Sequence, residues 1–150
     1  MSGIPRAPLF LGLAGLIPFI WGALTYLNGD LNDWGRQALG ARFVGPYIQL
    51  YYGAIILSFM SGVLWGFSSK TSGSKAATCY ALSTLPALWA FLKTGSGPVS
   101  TGTNLMWGFG GLLMLDAIFS YWRLTPVWWM RLRILLTAVV LACLAVGVYL

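Results

Sequence analysis

Residues 47–67 read YIQLYYGAIILSFMSGVLWGF, an apolar run without a single charge. About 20 such residues wound as a helix cross the hydrocarbon core of a bilayer. Comparable runs recur at approximately 8–27, 76–93, 102–121 and 129–149, and the pattern predicts a bundle of five transmembrane helices forming one integral-membrane domain over 1–150. A water-soluble alternative fails on composition, because a chain that is 58% hydrophobic and 8% charged has too few polar groups to cover a soluble domain. The runs are continuous rather than alternating, which favours helices over barrel strands, and a helix satisfies its own backbone in lipid. The first run is too long for a signal-peptide core and is followed by YLNGDLNDWG, without a small-residue cleavage site, so it is expected to remain in the mature chain.

Short, polar, Gly-rich breaks separate the runs: NGD, SSKTSGSK and KTGSGPVSTGTN. Such connections join neighbouring antiparallel helices. Pro18 and Pro86 fall inside runs, where each removes a backbone donor and predicts a kink. Charges divide by side. Arg6, Lys70, Lys75, Arg123, Arg131 and Arg133 share one side without an acidic residue, whereas Arg36, Arg42 and Lys93 share the other with Asp30 and Asp33. The positive-inside rule then puts the N-terminus in the cytoplasm or the mitochondrial matrix and the C-terminus outside. The net charge of +6 sits at helix ends, where anionic lipid headgroups rather than nucleic acid are the expected partner.

Small residues mark helix faces. Ser58, Gly62 and Gly66 are spaced by four in the second run, so they share a face and predict close backbone packing. Gly108 and Gly111 offer a matching surface on the fourth run, and Cys143 and Gly147 a shorter pair on the fifth. The expected core contact is the second run against the fourth. The same groove also suits a homodimer.

Asn104 and Asp116 lie on that fourth run, and Asp116 is the sole carboxylate within a run. An ionisable group at membrane depth faces protein or water and takes a partner. Arg131 and Arg133, at the start of the last run, are the expected candidates, in a structural ion pair or in a proton- or solute-handling site. Trp65, Trp89, Trp107, Trp122, Trp128 and Trp129 fall near run ends, where indoles anchor helices at the interface. Trp21 lies deeper and its N–H needs a partner. Cys79 and Cys143 are expected to be separate reduced thiols.

Catalytic constellations are missing. The chain has no histidine, two cysteines and three acidic residues, which supply no metal-ligand cluster, no bis-histidine haem site and no Ser-His pair. No enzyme activity, catalytic residue, metal or cofactor is expected, while bound lipid or quinone can be held by shape and aromatics alone.

The blocks LIPFIWG (16–22), YGAIILSFMSGVLWG (52–66), LSTLPALWA (82–90), the lone Asp116 and TPVWWMRLRILLT (125–137) resemble, in order, a small membrane family. It is a domain of unknown function shared by proteobacterial inner-membrane proteins and an animal mitochondrial inner-membrane protein. The resemblance implies a five-helix protein of a bacterial or mitochondrial inner membrane and supplies no activity or site residues. The sequence reading therefore leads to an accessory, assembly or stabilising subunit of a respiratory or photosynthetic complex, with other integral-membrane proteins and lipids as partners. Its rival is a small carrier or channel for a proton, an ion or a quinone-like solute, built on Asp116.

Overall fold

A computed structural model describes residues 3–150, and among these residues every regular element is helical. The helices are α1 (Arg6–Ala14), α2 (Ile17–Leu27), α3 (Gly29–Leu39), α4 (Tyr47–Ser68), α5 (Gly73–Lys93), α6 (Pro98–Tyr121) and α7 (Trp129–Tyr149), with a single 3₁₀ turn at Ala41–Phe43. The first apolar run is broken at Gly15 and Leu16, because Pro18 in the first turn of α2 cannot donate backward. The first outer loop contains a helix of its own, α3, which the hydropathy pattern did not mark. Asn28 caps it by accepting from the Leu31 N–H at 3.1 Å, and Gly40 ends it at φ 102°, a left-handed conformation suited to glycine.

Among the described residues, three segments are long and apolar enough to cross a membrane: Arg6–Leu27, Tyr47–Ser68 and Trp129–Tyr149. The helices α5 and α6 have 21 and 24 residues and reach about 31 and 36 Å. Their hydropathy is diluted by groups such as Lys75, Thr78, Thr103 and Asn104.

The helices alternate in direction, so one end of the bundle gathers the start of α1, the end of α4, the start of α5, the end of α6 and the start of α7. Contacts at that end include Lys70 Nζ donating to the Leu124 carbonyl at 2.9 Å and Lys75 over the Trp122 ring at 5.2 Å. At the other end Arg42 covers Tyr51 at 4.7 Å, and Asn104 donates to the Lys93 carbonyl at 2.9 Å. The core lies between α2, α4, α5, α6 and α7. Phe19 meets Tyr52 edge-on at 5.4 Å and Phe109 at 5.9 Å, with Leu57, Leu105 and Leu144 buried around them.

Helix α4 does pack against α6, but the small-residue face does not make that contact. Ser58, Gly62 and Gly66 are exposed, and a Cβ built on either glycine would meet nothing within 4 Å. The buried stripe of α4 is instead Gly53, Leu57, Ser61, Leu64 and Ser68. One residue along a helix is about 100° around it, and that offset turns Ser58, Gly62 and Gly66 off the core. Gly111 is likewise open. Gly108 is the member of the expected set that does sit at a tight crossing: its Cβ would lie 2.7 Å from Leu57 and 2.8 Å from Trp89.

The tightest glycine positions lie elsewhere, where α2 meets the start of α4 and the turn before it. A Cβ on Gly22 would fall 2.5 Å from Gln49 Cγ, and one on Gly45 2.0 Å from the Gly22 carbonyl. Glycine is required at both positions by space. Thr25 Oγ1 accepts from the Gly45 N–H at 2.7 Å, and Pro86 in α5 has a local remedy too: the Ala87 N–H, one residue on, donates to Ser61 Oγ of α4 at 2.7 Å. A proline-disturbed helix is thus satisfied from its neighbour.

Candidate functional site

The start of α7 is ordered by helical spacing. Trp129, Arg133, Thr137, Val140 and Leu144 recur at intervals of three and four, so they share one face. That face turns inward, and Arg133, Thr137, Val140 and Leu144 are buried. Arg131, two residues before Arg133, is exposed and lies near Gly3, whose added Cβ would come within 3.0 Å of it.

Asp116 on α6 is fully buried and faces this stripe. Arg133 Nε donates to Asp116 Oδ2 at 2.8 Å, and Trp129 Nε1 donates to Asp116 Oδ1 at 3.0 Å. Of the two candidate arginines, the structure pairs Asp116 with Arg133. Both carboxylate oxygens thereby have a donor, and the Phe67 ring packs against Trp129 edge-on at 5.1 Å. The arrangement joins α6 to α7 and closes the carboxylate off with aromatic surface. It is a buried charge compensated twice, once by charge and once by an N–H dipole.

Asn104 does not join this site. It lies three turns earlier on α6, about 18 Å away along the axis, and fastens the end of α5. The Trp89 N–H donates to the Asn104 carbonyl at 2.7 Å, at the same joint. Among the other tryptophans, Trp65 and Trp107 are exposed, Trp65 lies tilted against Tyr80 at 4.6 Å, Trp122 lies beneath Lys75, and Trp128 lies against Trp129 at 6.1 Å. Trp129 is therefore a ligand of the carboxylate in addition to any anchoring. The deep Trp21 finds its partner in the Phe43 carbonyl at 2.8 Å and meets Trp34 edge-on.

One functional polar residue escaped the sequence reading. Gln49 is buried and its Nε2 donates to two carbonyls, Phe19 at 2.9 Å and Cys143 at 3.1 Å. It ties α2, α4 and α7 together, with Gly147 of α7 close to its Oε1. A lone amide within an apolar run was the available signal, since such a group needs protein partners at membrane depth. Cys79 is buried and Cys143 half-buried, and both thiols are free.

Next to Arg133 lies a cavity of about 290 Å³ between α1, α2, α4, α6 and α7. Its walls are apolar apart from Arg133, Thr137 and Tyr52.

These features define an all-helical integral membrane protein whose buried charges are organised for helix-to-helix fastening. Residues 4–149 match the model of the family described as protein of unknown function (DUF3429), and the chain belongs to that family. It is also similar to Transmembrane protein 69 of Xenopus tropicalis, with 33% identity over 143 residues that cover 93% of this chain and 52% of that protein. The chain thus spans about half the length of that curated relative. No solved structure matches it significantly.

Proposed function

We propose that the protein is a non-enzymatic accessory or assembly subunit that stabilises a larger respiratory or photosynthetic complex in a bacterial or mitochondrial inner membrane. The observation that carries this reading is the outward face of α4. Glycine in a helix interior costs stability relative to alanine, yet a Cβ on Gly62 or Gly66 would meet nothing within 4 Å among the described residues. A smooth face of small residues suits the close approach of a helix from another chain. Large apolar side chains flank it, with Phe59 and Trp65 exposed beside the glycines.

In this reading all five long segments span the bilayer, α5 and α6 included, because their polar groups are largely answered within the protein. The basic end of the bundle faces the cytoplasm or matrix, as the loop charges favour, and the C-terminus lies on the opposite side. The carrier alternative is the weaker reading, since both oxygens of Asp116 are already engaged.

A photocrosslinking residue placed at Gly62 tests the proposal in the native membrane. The expected product contains a different integral-membrane chain. A product containing a second copy of this chain would replace the accessory reading with a homodimer, and labelling of lipid alone would remove the docking face altogether.

A further inference from the structure

Many hydroxyls along these helices share one habit. Ser58, Ser68, Thr78 and Thr103 each donate to the carbonyl four residues back, which is how a helix in lipid disposes of a polar side chain. Thr137 departs from it. Its residue is 1% exposed, yet its Oγ1 has no hydrogen-bond partner. Thr137 lines the cavity described above, together with Arg133. A buried donor without a partner, in a space large enough to hold a molecule, points to a ligand that accepts from it.

The surroundings narrow the chemistry. Arg133 uses Nε for Asp116, and a guanidinium has further N–H donors beyond that one. Its positive charge is already balanced by the carboxylate at 2.8 Å, so the pair offers donors without a net charge to attract an anion. Tyr52 adds a phenolic hydroxyl, 3.7 Å from where a Cβ on Gly15 would stand. The remaining wall is apolar and includes Leu16, Phe19 and Phe109. Two more lining residues, Leu11 and Phe59, are 73% and 65% exposed on the outer surface, which opens the cavity sideways between α1 and α4, toward lipid. A volume of about 290 Å³ holds roughly ten water-sized groups, enough for a polar head and the first carbons of a chain.

We infer that this cavity binds an uncharged amphipathic molecule of the bilayer, an apolar chain ending in a neutral carbonyl, with the carbonyl oxygen accepting hydrogen bonds from Thr137 and Arg133 and the chain leaving past Leu11 and Phe59. A glycerol ester and an alkyl quinone both present this head. Phe59 borders both the mouth of the cavity and the glycine face of α4, but the donors Thr137 and Arg133 lie on α7, so the inference does not rest on the accessory-subunit reading.

The test is native mass spectrometry of the full chain released from nanodiscs containing, separately, a monoacylglycerol, a decyl-substituted benzoquinone, or a fatty acid of similar length. The expected result is one-to-one binding of at least one neutral probe and binding of the fatty acid at least tenfold weaker, and the probe that binds identifies the source. Thr137→Val keeps the side-chain volume and removes the donor. It should weaken binding about fivefold to tenfold, the effect of one hydrogen bond, without lowering the thermal midpoint of the empty protein, because the hydroxyl has no protein partner to lose. Gly15→Leu, checked for retained helicity, should fill the cavity and abolish binding. Absence of binding by both neutral probes, preference for the fatty acid, or wild-type affinity in Thr137→Val would overturn the inference.

Discussion

Asp116 holds two donors from one face of α7, and its removal is costly in a way that separates a structural from a transport role. Asp116→Asn leaves Arg133 charged and buried without its counter-ion, and the expected loss is about 3–5 kcal/mol of stability, as for other broken buried pairs. Thermal unfolding in detergent micelles measures it. Replacing both partners by apolar residues, Asp116→Leu with Arg133→Met, should cost less than the sum of the single changes, since no uncompensated charge remains. Full stability in Asp116→Asn with a loss of solute flux would instead restore the carrier reading. Gln49 makes a second expectation at this scale: Gln49→Leu removes bonds to the carbonyls of Phe19 and Cys143 and should cost about 1–3 kcal/mol. The choice of Arg133 over Arg131 follows from spacing, because Trp129 and Arg133 are four apart and share a face. That spacing is visible in WWMRLR. What it does not disclose is which way the shared face turns, and that depends on the packing of α6.

The long helices were readable because bilayer thickness sets a minimum length for any apolar run. Their faces were far less so. Ser58, Gly62 and Gly66 announce a smooth surface without naming the neighbour, and the structure turns that surface outward while Gly22, Gly45, Gly53 and Gly108 take the crowded positions. Substitutions should therefore divide sharply. Gly108→Ala pushes a methyl group into Leu57 and Trp89 and should destabilise by about 1–3 kcal/mol, whereas Gly62→Leu and Gly66→Leu should leave the unfolding temperature of the isolated chain unchanged or higher. Helix α3 escaped notice because its length of 11 residues and mixed polarity give no hydropathy signal, although Asn28 stands at its cap. Pro86 inside α5 provides a separate check. Ser61→Ala strands the Ala87 N–H and should cost about 1 kcal/mol, and the cost should shrink in a Pro86→Ala background, where a helix without the proline ring can supply its own acceptor. A double-mutant cycle by thermal unfolding reads the coupling.

Over the whole molecule, the charges and the glycines point in different directions. The basic residues gather at one end of the bundle and set its expected orientation, while the open small-residue face of α4 looks sideways into the membrane. A chain with few reactive groups, fastened internally by Asp116, Arg133, Trp129 and Gln49 and smooth along one flank, suits the proposed docking beside a helix of another chain. The decisive measurement is the native mass of the tagged protein, extracted from its own membrane in a mild detergent, with the co-migrating chains identified and their ratio determined. Migration with a large bioenergetic assembly in fixed proportion, lost in Gly62→Leu while the released chain stays folded, is the predicted result. Migration alone or as a small homo-oligomer would contradict the account.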